Sequence, residues 1–169
     1  MRKFISTLVF LTLIIWGTNL SAQSYQSAVG LRLGIPAALS YKFFINETSA
    51  IELYGSYRRR GSYLYHVTDY GLGATYQIHN DLSDVIEGLQ WFYGGGAGVS
   101  FYSYSDAYYY DNESSLGISV HPSIGLDYRF ADAPINVSLD WQPNFILTGY
   151  GDRFGAGYGA LSVRYILGE

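Results

Sequence analysis

Residues 116–130 read LGISVHPSIGLDYRF. Separated by parity, the stretch holds two chemistries. Leu116, Ile118, Val120, Ile124, Leu126, Tyr128 and Phe130 fall on one side, and Gly117, Ser119, His121, Ser123, Gly125, Asp127 and Arg129 on the other. Successive side chains of a strand point to opposite faces, so a period of two predicts a β-strand with one apolar and one polar face. The run exceeds the ~9–11 residues with which a tilted strand crosses a bilayer.

The same alternation recurs along the chain, and helical periodicity is nearly absent. Strands are expected at about 25–34, 37–45, 50–59, 68–78, 90–101, 116–130, 135–147 and 157–167. In WFYGGGAGVSF (91–101), Trp91, Tyr93, Val99 and Phe101 take the apolar face while Gly94, Gly96 and Gly98 make a bare stripe on the polar one. Gly71 and Gly73 extend that stripe onto the preceding strand. A dinucleotide fingerprint needs glycines at the first, third and sixth positions before a helix. Here the sixth position from Gly94 is Val99, and alternation continues. Pro122 and Pro143 within strands are expected to mark bulges or ends of pairing.

Connections alternate between turns at 46–48, 79–88 and 131–133 and a second set at 34–36, 58–62, 102–115 and 148–155 that includes the longest loop. The 79–88 turn is long enough for one helical turn. Eight such strands predict an all-β, antiparallel up-and-down transmembrane barrel, with short periplasmic turns, longer external loops and both ends periplasmic. At the start, Arg2 and Lys3 precede an apolar run from Phe4 to Trp16, then Ser21-Ala22-Gln23. This is the layout of a signal peptide, 1–22, cleaved near Ala22 ahead of a single domain over 23–169. With no Cys, neither lipid anchoring through a thiol nor a disulfide is expected.

Alternation alone does not separate a membrane barrel from a soluble lipocalin-like carrier with an apolar interior. Charged residues make up 14% of the chain, against ~25% for a globular norm. Its polar face is mostly Gly, Ser, Asn and Thr, whereas a water-facing exterior carries many Lys and Glu. Aromatics recur near strand ends on the apolar face, among them Tyr25, Phe43, Tyr57, Trp91, Phe101, Tyr128, Phe145 and Tyr165, as interfacial belts require. The apolar face is therefore expected outside, in lipid. A barrel of eight strands leaves an interior that side chains fill. The residues that point into it include Arg32, Lys42, Glu52, Asp127, Arg129, Asp140 and Arg164, and pairing around Glu47 sets Lys42 opposite Glu52. Unpaired charges there are costly, so a salt-bridged, filled polar lumen is expected. The glycine stripe gives long side chains such as Arg32, Arg129 and Arg164 room to reach across.

LRLG at 31–34, SYKFFINETSAIE at 40–52, WFYGGGAG at 91–98, SIGLDYRFADAPINVSLDWQPNFIL at 123–147 and LSVRYIL at 161–167 resemble the small outer-membrane β-barrel domain family, similar in plan to OmpX-like and OmpA-like barrels. The resemblance covers essentially all of 23–169. It implies an outer-membrane protein inserted by the barrel-assembly machinery, with no catalytic motif. Barrels of this kind usually finish on an aromatic, whereas here Tyr165 is followed by Ile166-Leu167-Gly168-Glu169.

His121-Pro122-Ser123 is the one stretch that hints at acyl transfer, because a lipid A deacylase barrel of this size uses a His-x-Ser pair with a carboxylate. Parity puts both side chains in the lumen, away from lipid, and Ile124 stands where an Asn is expected. No enzyme, cofactor or metal site is therefore expected. His66 and His79 read as ordinary polar positions, without metal-ligand spacing. The formal charge of −4 is scattered and forms no basic stripe for nucleic acid. Arg58-Arg59-Arg60 is expected at the outer rim, available either to loose ion pairs or to the phosphates of lipopolysaccharide. The reading is an outer-membrane protein, a monomer, with a structural or surface-interaction role, or else a narrow channel for small solutes.

Overall fold

The computed structural model describes residues 25–61, 65–106, 114–148, 153–155 and 159–168, so the expected signal peptide lies outside the described residues. The chain runs through β1 (Ser27–Gly34), β2 (Ala38–Phe44), β3 (Ser49–Gly61), β4 (Tyr65–Asp81), β5 (Leu89–Asp106), β6 (Ser114–Arg129), β7 (Ile135–Trp141), β8 (Asn144–Thr148), β9 (Phe154–Gly155) and β10 (Gly159–Gly168). Each pairs antiparallel with its neighbours, and β10 returns to β1, with Gly30 across from Arg164 and Leu33 across from Leu161. β7 and β8 both lie on β6 in one register, Leu126 across from Leu139 and Val120 across from Phe145, so they are two halves of one wall strand. β9 on β8 and β10 on β7 form the next. The result is a closed, eight-stranded antiparallel barrel. Closure gives every wall strand a partner on both sides, which is what hydrocarbon demands of a backbone.

The wall is inside-out relative to a water-soluble protein. Leu39, Leu72, Leu139, Leu147 and Tyr165 are each more than half exposed, while Arg164, Lys42 and Glu52 are almost wholly buried. In water this would leave apolar surface on every wall strand, far beyond what soluble monomers tolerate. That inversion removes the soluble-carrier reading, whose apolar face would point inward.

Aromatic side chains ring the outer wall at two levels. At the end carrying the longer loops, Tyr57, Tyr70, Phe101 and Leu116 occupy one rung across β3–β6. At the end carrying the turns and chain termini, Tyr41, Tyr76, Tyr93, Phe130 and Tyr165 face outward. The 82–88 turn contains one helical turn, with the Val85 and Ile86 amides donating to the Leu82 carbonyl at 2.9 and 3.1 Å. It closes through Gly88, whose φ of +81° an L side chain rarely adopts and where a Cβ would strike the Arg129 carbonyl oxygen.

Three expectations are corrected. β3, β4 and β5 continue past the loop-end aromatic rung, so Arg58, Arg59 and Arg60 belong to a strand rather than a loop, and the 102–115 connection shrinks to 107–113. Beyond the belt no lipid imposes an apolar face, so alternation fades while backbone pairing persists. Tyr25 points inward and is buried with Ala28, Ile166 and Phe44; it precedes β1, which begins at Ser27, so strand parity does not govern it. Pro122 keeps unbroken register with β5 across from Gly95, and on its other side it lies where β6 loses its pairing between β7 and β8. Pro143 does end pairing: it lies in the two-residue gap between β7 and β8.

Candidate functional site: the lumen and the outer rim

Strand parity aims the polar residues inward, and barrel curvature then decides which of them meet. The lumen floor at the turn end is aromatic. Tyr25 and Phe44 meet edge to face at 5.1 Å, and the His79 ring lies 4.9 Å from Phe44 and 5.1 Å from Phe92. Directly above, Lys42 pairs with Asp127 and donates to His79 Nε2 at 2.8 Å. Asp127 also accepts from Asn136 Nδ2 and lies 3.4 Å from His79 Nε2. The lysine head sits over both phenyl rings, at 5.6 Å from Phe44 and 5.2 Å from Phe92, positions at which a ring face attracts a cation.

At mid-height Glu52 is the hub. It accepts from Arg32 at 3.0 Å, from Gln77 at 2.9 Å and from Arg164. Arg164 spends its remaining donors on Ser40 at 2.9 Å, Ser138 at 2.8 Å and Asn136 at 3.2 Å, spanning the interior from β10 to β2, β3 and β7. Arg32 reaches Asp140 at 2.9 Å and lies 5.2 Å over the Tyr54 ring. The next layer holds Thr75 and Tyr54 against His121 Nε2, at 2.9 and 3.4 Å, and Gln142 donating to Ser123 at 3.3 Å. Every cation of these inner layers thus meets a carboxylate, the arrangement that makes a buried charge tolerable.

Lys42 and Glu52 do share a rung, but they do not pair. Lys42 turns toward the floor and leaves Glu52 to the two arginines. Arg129 stands at the last rung of β6 beside the 82–88 turn, half-buried, rather than at mid-lumen. The glycines have a different use from the one expected. A Cβ on Gly73 would strike the Tyr54 ring, one on Gly125 the Phe92 ring, and one on Gly96 would lie 2.7 Å from His121 Nε2. Gly94 and Gly96 also lie against β4 carbonyls, and Gly71 sits beneath the Ser56 hydroxyl. Gly98 is less crowded, a Cβ there lying 3.3 Å from the Leu72 carbonyl oxygen. The stripe therefore seats inward-leaning rings and lets β4 and β5 coil closely; the arginines cross elsewhere.

His79, Gln77, Thr75 and Tyr54 carry much of this interior, and His79 had read as an ordinary position. It has the parity of Thr75 and Gln77 and lies two residues further along β4. Ending the strand at 78 hid it. His121 and Ser123 do face the lumen, buried, where Thr75 and Gln142 take up their polar atoms. Among the described residues no His, Asp and Glu group could hold a metal ion.

Past the aromatic rung the wall changes character. Arg58 lies across from Asp69, and Arg59 across from Thr68 and, through it, Ser103. Arg59 is exposed on the outward face. The side chains of Arg60 and His66 lie outside the described residues.

Ail, the attachment invasion locus protein of Yersinia pestis, has a similar structure: TM-score 0.55 over 85% of this chain and 99% of Ail, at 16% identity. This chain has the small outer-membrane β-barrel fold. A second structure with that fold, Ail in complex with the heparin analogue sucrose octasulfate, matches with a TM-score of 0.50 over 82% of this chain and 92% of that one, at 16% identity. The N-terminal β-barrel domain of Pseudomonas aeruginosa OprF gives 0.49 over 85% and 98%, at 19% identity. No protein-family model and no curated protein sequence matches the chain. Small outer-membrane barrels at this level of identity share a wall and not an activity.

Proposed function

We propose that this protein is a non-enzymatic outer-membrane surface protein that acts through its outer rim and does not pass solutes. In this reading the turn end faces the periplasm. The chain is exported with its leader removed near Ala22, inserted by the barrel-assembly machinery, and stands as a monomer. The observation that carries the proposal is the filled lumen: Glu52 joined to Arg32, Arg164 and Gln77 closes the middle of the barrel, and the aromatic floor around His79 closes one end. A narrow channel needs a continuous path through both.

What remains available for contact is the rim. Arg58, Arg59 and Arg60 form the outer end of β3, just beyond the belt where the sugar and phosphate groups of lipopolysaccharide begin. Arginine presents a planar fork that matches phosphate and sulfate oxygens two at a time. The sulfated sugar bound by the Yersinia barrel makes polyanionic glycans the first ligands to try. Charge reversal at all three arginines is expected to lower retention of purified lipopolysaccharide, and of sucrose octasulfate, by tenfold or more in surface plasmon resonance on nanodisc-embedded protein. Unaltered binding of both would refute the rim assignment.

A further inference from the structure

On the outer wall, between β5 and β7, a groove of about 530 Å³ runs over β6. Trp91 and Trp141 form its two sides, and Ile124, Leu126 and Leu139 its base. All five are on the apolar parity, so the groove opens onto the surface that meets lipid, in the half of the barrel nearer the turns. It ends at a fault in the wall. Ile124 and Trp141 are the last paired residues before the β7–β8 gap, and the register on either side sets Pro122 across from Pro143. Neither proline has an N–H to donate, so this rung lacks its ladder. Behind it Gln142 and Ser123 bond to one another and close the wall from inside.

We propose that this groove holds one acyl chain of a phospholipid from the periplasmic leaflet as a retained, specific lipid. Three features select that occupant. The groove is continuous with the lipid-facing wall, its one charged lining residue, Asp140, turns its carboxylate into the lumen to pair with Arg32, and its volume is of the order of one long acyl chain. Within a bilayer there is no hydrophobic drive to hold a particular chain, so retention comes from packing and dispersion. Two indole walls supply that contact, and an unfilled groove forfeits it. The donor-free rung beside it fixes the place: an ordered chain there screens a stretch of wall whose backbone pairing is interrupted.

The inference rests on the outer wall facing lipid, and its test separates the two. Full-length protein folded in detergent is titrated with dipalmitoyl phosphatidylethanolamine and examined by native mass spectrometry, beside Leu139→Trp, which fills the groove, and Ile118→Trp, which adds the same bulk elsewhere on the wall. Wild type and Ile118→Trp are expected to retain one phospholipid at detergent concentrations that strip Leu139→Trp at least tenfold more completely. Heat-dependent gel migration reports folding of each variant. If Leu139→Trp does not fold, Leu126→Phe narrows the same groove. Equal retention by all folded variants would overturn the proposal, and so would a wild-type dimer lost in the groove variants, which would assign the groove to a second copy. Either result leaves the barrel's place in the membrane intact.

Discussion

Glu52 shows how far the interior could be read from sequence. Parity was enough to place it in the lumen with Arg32, Lys42, Asp127, Asp140 and Arg164, because a period of two leaves no other choice once the apolar face is outside. Its partners were not legible. Lys42 stands across the same rung, yet Arg32 and Arg164 take the carboxylate. Pairing across a barrel depends on the reach of each side chain over the curved interior, and rung adjacency does not encode it. Removing the negative charge leaves the buried Arg164 guanidinium without its carboxylate and Arg32 with Asp140 alone, so Glu52→Gln is expected to cost about 3–5 kcal/mol, the scale of breaking a buried ion pair from one side. Urea unfolding in lipid vesicles, followed by tryptophan fluorescence, measures this. Glu47→Gln at the exposed first turn is the comparison and is expected to change stability negligibly.

At the scale of elements, the strands were legible where lipid and lumen impose opposite demands, and less so where they do not. β4 and β5 run to Asp81 and Asp106, past the last residues that alternation marks, and the β7–β8 gap follows from Gln142-Pro143 rather than from any loss of pattern. The glycines of β4 and β5 were legible as wall and not as hinge, but what they accommodate was not, since Tyr54 leans onto Gly73 from β3 and His121 onto Gly96 from β6. Gly96 is held on two sides, by the Ala74 carbonyl of β4 and by the His121 ring of β6. Gly96→Leu is expected to destabilise the barrel by more than the ~1–3 kcal/mol typical of overpacking, measured in the same unfolding assay. Gly98→Ala, whose Cβ would lie 3.3 Å from the Leu72 carbonyl oxygen where one at Gly96 would strike the Ala74 carbonyl oxygen, is expected to cost much less. Equal stability of both variants would contradict the close-packing account of β4 and β5.

At the scale of the whole molecule, an apolar outside, a charged inside and an even number of wall strands follow from one another. An eight-stranded barrel is too narrow for a water column beside filled side chains, and buried ions must meet, so closing this sheet with this polar face produces a plug. Sequence could establish that much because barrel size and side-chain parity are both periodic properties. The outer rim follows no such period, so parity says nothing of its partners. The most direct test of the filled lumen is single-channel recording of wild-type protein in planar bilayers, using preparations whose heat-dependent gel migration shows them folded. The account predicts no persistent conductance steps at moderate voltage. Stable, ohmic steps that scale with the amount of folded protein would contradict it.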